Sequence, residues 1–306
     1  MGLLGLAALA WWYFGTSRKL PADTVAAAYA TPLTAPSATL SVYHLGHSLV
    51  GRDMPAMLEQ LAGSGHSHHS QLGWGTSLRE HWEPDVAING FDAENAHSRF
   101  KPARDALATG SYDAVVLTEM VEIKDAIKYH DSSKYLKIWA DFVRQANPEA
   151  RIYLYESWHN LDDPEGWLVR LDRDLDTYWI GKVLADDLKA HPENPVRVIP
   201  GGQVMARLAR TLLDSGGVAG LKQIEDLFAK HPDGTQDTIH LNDQGAYLIA
   251  LTHYAVLYHL DPKGLPHTLL RADGTPAQAP TQEAAELMQK TVWEVVTSMP
   301  CTGVAQ

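Results

Sequence analysis

A chain of 306 residues, 45% hydrophobic and 20% charged, has ordinary globular proportions and enough length for one large domain or two modest ones. A formal net charge of −12 with no long basic cluster argues against nucleic acid and anionic membrane surfaces as partners, since both need a concentrated positive footprint. The single cysteine, Cys301, excludes an intrachain disulfide and a cysteine-based zinc site, although export needs neither.

The chain starts with an apolar run, GLLGLAALAWWYF (residues 2–14), as long as a signal-peptide core and short for a membrane span. No Lys or Arg precedes it, while Arg18 and Lys19 follow, the reverse of a standard export signal. Ala28-Tyr29-Ala30 resembles a cleavage motif but lies far downstream. The expectation is an exported, periplasmic or membrane-anchored protein, associated with the membrane through residues 2–14; a buried terminal helix in a cytoplasmic protein is the alternative. Residues 20–38, rich in Ala, Pro and Thr, read as a linker, which sets residues 1–38 apart from a domain at 39–306.

From residue 40 short apolar runs alternate with helical periods. Strands are expected at 40–45, 113–118, 151–155 and 196–199. Helices are expected at 54–61, at 135–146 (stopped by Asn147-Pro148), at 168–188 and at 203–213 (closed by Gly216-Gly217). A long apolar helix at 242–258 and an amphipathic C-terminal one at 281–297 complete the series. Strands alternating with helices of this length predict an α/β fold, with a mostly parallel sheet covered on both faces. Ligands in such folds sit beyond the C-terminal ends of the strands. Three segments of interest begin there: Gly46-His47-Ser48, Thr118-Glu119 and Glu156-Ser157-Trp158.

Ser48 could be a nucleophile or a cap for the helix that follows. A serine needs a base to take its proton, and the base works best when a third group fixes its tautomer. Asp237-Thr-Ile-His240, read as a turn before a helix, can present carboxylate and imidazole to one cleft; otherwise Asp237 shapes the turn and His240 is solvated.

These two blocks resemble those of the SGNH or GDSL-like hydrolases, serine esterases and lipases with a flavodoxin-like α/β/α sandwich. Leu45-Gly46-His47-Ser48-Leu49 matches the first block, with His47 where aspartate is commoner; Asp237-x-x-His240, continued by NDQGAY (242–247), matches the last. The resemblance spans roughly residues 40–260. It implies a five-stranded three-layer fold, Ser48 as nucleophile, His240 as base and Asp237 as its orienting carboxylate, with no metal or organic cofactor. It also implies an oxyanion hole from the Ser48 amide and the amide of Gly75, with Gly73 as the fallback.

The family's asparagine after the third strand is missing, and Thr118-Glu119-Met120 stands there instead. An ionised Glu119 beside a developing oxyanion would repel it. Either burial keeps Glu119 protonated, or it points elsewhere to hold a loop or a substrate hydroxyl, or Thr118 supplies the third donor.

Trp74, Trp158 and Trp167, in or near strand-end loops, either stack on a sugar or shape an acyl pocket, or else pack the core rim. Glu119, Glu156, Trp74 and Trp158 are therefore the expected substrate contacts. His66, His68 and His69 suit a polar loop or strand edge better than a metal site, His44 suits the core, and Asp53 and Glu59 an exposed helix face. The expected function is hydrolysis of an acyl ester, an acetyl group above all, on a small ester or acylated saccharide. The alternatives are a carbohydrate-binding or surface-associated protein of the same fold with weak catalysis and, more remotely, a metal-dependent hydrolase using His66 and His68.

Overall fold

The structure is a computed structural model that describes residues 20–305; the apolar run at 2–14 lies outside them. Five strands, β1 (Ser41–His47), β2 (Ser67–Gly73), β3 (Ala114–Thr118), β4 (Arg151–Glu156) and β5 (Arg197–Pro200), form one sheet in the order β2-β1-β3-β4-β5. All four pairings are parallel. This is a doubly wound order, with its switch point between β1 and β3.

Alternation along the strands divides the interior into two cores. Val42 of β1 and Ala114 and Val116 of β3 face helices Asp53–Ala62, Gly201–Ser215, Asp243–Tyr258 and Gln282–Ser298. Tyr43 and Leu45 of β1 and Val115 and Leu117 of β3 face helices Ala103–Ala108, Ile123–Tyr129 and Ser132–Ala146. The result is the expected three-layer α/β/α sandwich. Among the described residues no helix is long and apolar enough to cross a membrane.

The predicted helices appear near their expected bounds, with one exception. The 168–188 stretch is helix Trp167–Asp174, a π-helical segment Leu175–Val183 and helix Ala185–Ala190. The run carries Trp167 and Leu171 into one core and Trp179, Val183 and Leu188 into the other, so a single amphipathic face does not describe it.

Residues 20–38 do not behave as a linker. Helix Ala22–Ala28 leads to a buried Tyr29, whose hydroxyl donates to the Val196 carbonyl at 2.9 Å under the Arg197 guanidinium. Leu33 N–H donates to Gly303 O at 2.8 Å, Arg197 Nη2 to Thr31 O at 3.0 Å, and Arg151 to Thr34 O. The apolar Leu20, Ala28 and Tyr29 supply the burial that composition alone hid.

Two further strands, β6 (Phe228–Lys230) and β7 (Gln236–Leu241), form a separate antiparallel ribbon. Asp237 and His240 therefore sit on a strand rather than in a turn. Of the two readings of the histidine-rich stretch, polar loop or strand edge, the structure shows the second: β2 is an edge strand, although SHHSQLG has no apolar alternation. Its polar side chains find buried partners instead: His66 just before it meets the Tyr258 hydroxyl at 2.6 Å, and His68 meets Glu59 at 2.9 Å.

Candidate active site

The C-terminal ends of β1 and β2, the loops after β3 and β4, and the β7 ribbon surround a cleft of about 590 Å³. Ser48, Trp74, Gly75, Glu94, Val121, Asn160, Ile239 and His240 line it.

Ser48 follows β1 in a tight turn, where Val50 N–H (2.9 Å) and Gly51 N–H (3.3 Å) both donate to His47 O, and Gly51 takes a φ of +58°. The helix starts only at Asp53, so Ser48 is not its cap. Gly46 lets β1 approach β3 closely: a Cβ there would lie 2.7 Å from Thr118 Cβ.

Two buried histidines hold this turn from below. Leu49 N–H donates to His47 Nδ1 at 3.3 Å, so Nε2 carries the proton and donates to Glu119 O at 2.9 Å, joining the ends of β1 and β3. His81 Nε2 donates to Gly46 O at 2.8 Å while Nδ1 accepts from Gln71 Nε2 at 3.0 Å. Gln71 Oε1 in turn accepts from Ala103 N–H at 2.9 Å. Burial pushes both imidazoles down to about 4, so they are neutral and their donor directions are fixed at neutral pH.

His240 arrives from the ribbon, 192 residues beyond Ser48, with its Nε2 at 3.1 Å from Ser48 Oγ. Its Nδ1 lies 2.9 Å from Asp237 Oδ2. Asp237 Oδ1 also accepts the backbone N–H groups of Ile239 and His240, each at 2.9 Å. Partial burial pushes the Asp237 carboxyl up, but these donors and the imidazole outweigh it and hold it below the usual carboxylate range. With Nε2 facing Ser48 and Nδ1–H facing a carboxylate, the arrangement can withdraw a proton from the hydroxyl and stabilise the imidazolium that forms.

The loop after β4 stitches the ribbon in place. Trp158 Nε1–H donates to Ile239 O at 2.9 Å, Leu161 N–H to Thr238 O at 2.9 Å, and Thr238 Oγ1 to Asn160 Oδ1 at 3.1 Å. Asn242 caps the following helix by accepting from Gln244 N–H (2.9 Å) and Gly245 N–H (3.1 Å), and its amide binds Asp226 O at 2.7 Å.

Behind the cleft, Arg170 is 2% exposed and forks onto three carboxylates: Glu122 at 2.8 Å, Asp163 at 2.7 Å and Asp174 at 2.9 Å. Glu122 belongs to the loop after β3 and Asp163 to the loop after β4, so one guanidinium ties both walls together.

Several expected contacts fall outside the cleft. Trp158 is fully buried; it packs the core and tethers the ribbon instead of meeting substrate. Trp167 also packs in the core. Glu156 is fully buried and accepts from Gln203 N–H (3.2 Å) and Gln203 Nε2 (3.0 Å). Thr118 packs its side chain under Gly46 and is not a third donor facing the cleft. Gly73 lies against Thr76 and Ile88, whereas Gly75, at a φ of +58° that favours glycine, lines the cleft.

Glu119 is also fully buried, so it touches no substrate. Its Oε1 accepts from Met120 N–H at 2.8 Å and Leu78 N–H at 3.2 Å, fastening the start of helix Leu78–Trp82. Burial pushes its carboxyl up to about 7, against the pull of these bonds and of Ser132 beside it. The turn away from the cleft thus removes an ionised carboxylate from beside the oxyanion, and burial favours its protonated form besides.

This has a stability consequence. Because the folded value exceeds the ordinary one, the native state prefers the protonated acid; that contribution is complete below about pH 4.5 and is lost as pH rises through about 7. Glu119→Gln should therefore gain on wild type between pH 5 and 8 by about 3 kcal/mol. Urea unfolding at both pH values measures it; an equal difference at pH 5 and pH 8 would mean an ordinary titration.

Asn160, two residues beyond Trp158 in the same strand-end loop, carries no motif of its own in the sequence. Glu94 belongs to helix Phe91–Asn95, five residues long and too short to show a period, and Val121 to the loop after β3. His66 and His68 are engaged as described, and among the described residues no group of three or more His, Cys, Asp or Glu is placed to hold a metal ion.

No protein-family model matches the chain, and neither does any curated protein. Among solved structures, the chain is similar to a DUF4886 family protein from Bacteroides uniformis ATCC 8492, with 15% identity and a TM-score of 0.50 over 85% of this chain and 95% of that one. At that identity the likeness concerns the fold alone.

Proposed function

We propose that this protein is a serine ester hydrolase of the SGNH type. The observation that carries the reading is the continuous contact from Ser48 Oγ to His240 Nε2 (3.1 Å) and from His240 Nδ1 to Asp237 Oδ2 (2.9 Å), assembled from two distant parts of the chain beside an open cleft. A binding protein of the same fold would have no need to keep this alignment.

Ser48 Oγ attacks the acyl carbonyl as His240 Nε2 takes its proton, and Asp237 holds the resulting imidazolium. The backbone N–H groups of Ser48 and Gly75 receive the oxyanion. Collapse of the tetrahedral intermediate expels the alcohol with the proton from His240. Water, deprotonated by His240, then attacks the acyl-enzyme, and the acid leaves with Ser48 restored. The backbone freedom of Gly75 and its place in the cleft support its role as donor; the missing asparagine leaves a two-donor hole, slower than a three-donor one.

A fluorophosphonate probe tests the nucleophile. One equivalent should attach to Ser48, located by peptide mass, and p-nitrophenyl acetate hydrolysis should stop in parallel. A label on another residue, or none, would count against the assignment.

A further inference from the structure

Trp74 is 55% exposed at the rim of the cleft that holds Ser48 and His240, yet it is fixed on three sides. Its backbone N–H donates to Asn89 O at 2.7 Å. Its indole N–H donates to Glu94 Oε1 at 2.7 Å. Gly90 lies under the ring: a Cβ there would sit 2.2 Å from Cδ2, 2.3 Å from Cε2 and 2.6 Å from Cγ. Near-equal approach to three atoms around the ring fusion places the glycine beneath the ring face, not at its edge. Gly90 also takes a φ of +68°, so glycine is favoured there twice over.

The geometry points to Trp74 as a preformed platform for a pyranose ring of the ester's alcohol, the sugar stacking on the indole while its ester reaches Ser48. This rests on the hydrolase reading for the reaction, but not for the binding. A side chain that merely completed the core would be covered. One that lined a pocket for a flexible acyl chain would not need a flat surface pinned by a hydrogen bond.

The surroundings suit a sugar as well. A pyranose offers an apolar C–H face to an aromatic ring and hydroxyls at its edge, so a site for it needs a flat ring with polar groups at its rim. Glu94, anchored by the indole, and the Asn160 side chain line the same cleft and can serve such hydroxyls. Val121 and Ile239 give the cleft its apolar part, which suits a short acyl group. A carboxylate at the rim disfavours an anionic lipid headgroup by charge.

Two measurements separate the platform from the chemistry. In the first, Trp74→Ala and Trp74→Phe are compared with wild type on p-nitrophenyl acetate, p-nitrophenyl hexanoate and acetylated xylo-oligosaccharides. The loss of kcat/KM for Trp74→Ala on the acetylated oligosaccharide should exceed its loss on p-nitrophenyl acetate at least tenfold. It should fall chiefly on KM, and phenylalanine should restore part of it. A loss as large on the hexanoate as on the oligosaccharide would make Trp74 an acyl-pocket wall and overturn the proposal; equal losses on all three would do the same.

In the second, calorimetric titration of the same oligosaccharides into Ser48→Ala and into the Ser48→Ala, Trp74→Ala double variant reads binding without turnover. Binding lost with Trp74 supports the platform even if wild type hydrolyses no ester. Binding that is absent, or indifferent to Trp74, overturns it whatever Ser48 does.

Discussion

Replacing Ser48 with alanine is expected to lower kcat on p-nitrophenyl acetate by roughly 10⁵- to 10⁶-fold, with His240→Ala close behind. Asp237→Asn should cost about 10⁴-fold, because the amide can no longer hold Nδ1–H toward it and the imidazole adopts the wrong tautomer. The three groups act as a unit, so the Ser48→Ala, His240→Ala double variant should be scarcely slower than either single one. Steady-state rates on protein with unchanged thermal unfolding are the measurement. A Ser48→Ala protein keeping more than about a tenth of the wild-type rate would remove Ser48 from the reaction.

The second large effect belongs to Arg170. Replacing it with methionine keeps the volume but strands Asp174, 1% exposed, and Asp163, 11% exposed, beside each other without their shared cation. Removing one partner from a buried ion pair costs about 3 to 5 kcal/mol. In a chain of this size that lowers Tm by roughly 10 °C. Arg173 still reaches Asp174 at 2.8 Å, which favours the lower end. Arg170→Lys should recover only part, since an ammonium cannot fork onto three carboxylates. Calorimetry gives the Tm; an unchanged value would mean that the surrounding loops reorganise freely. Because Glu122 and Asp163 belong to both cleft walls, kcat/KM should fall further than the stability loss alone explains.

Much of this architecture was legible in the sequence because its central strands and long helices are built from simple periodicities. Ala114–Thr118 reads as a strand because its neighbours cover both faces, and Ser132–Ala146 as a helix because its apolar stripe meets one core. β2 was legible only as a choice between polar loop and strand edge, because its histidines are buried by pairing rather than by hydrophobicity. The β6–β7 ribbon was too short to show a period. The π-helical segment hid for the opposite reason, as it serves two cores.

In the site, the local spacing of Asp237 and His240 was visible, and so was the strand-end position of Ser48. The fate of Glu119 was not, since a residue's burial depends on partners elsewhere, here the Leu78 N–H. The same holds for Trp158, whose exposure could not be judged before the ribbon it braces was placed. Trp74 and Asn160 belong to loops whose course is set by tertiary contacts.

The segment around Tyr29–Thr34 and the residues near Gly303 are both sewn to the starts of β4 and β5, while Ser48 and His240 sit beyond the opposite ends of the strands. This gives the molecule a base and a mouth. Whatever is attached through either end of the described chain, whether a support, a surface or a fused protein, meets the base. The mouth then opens away from the attachment point.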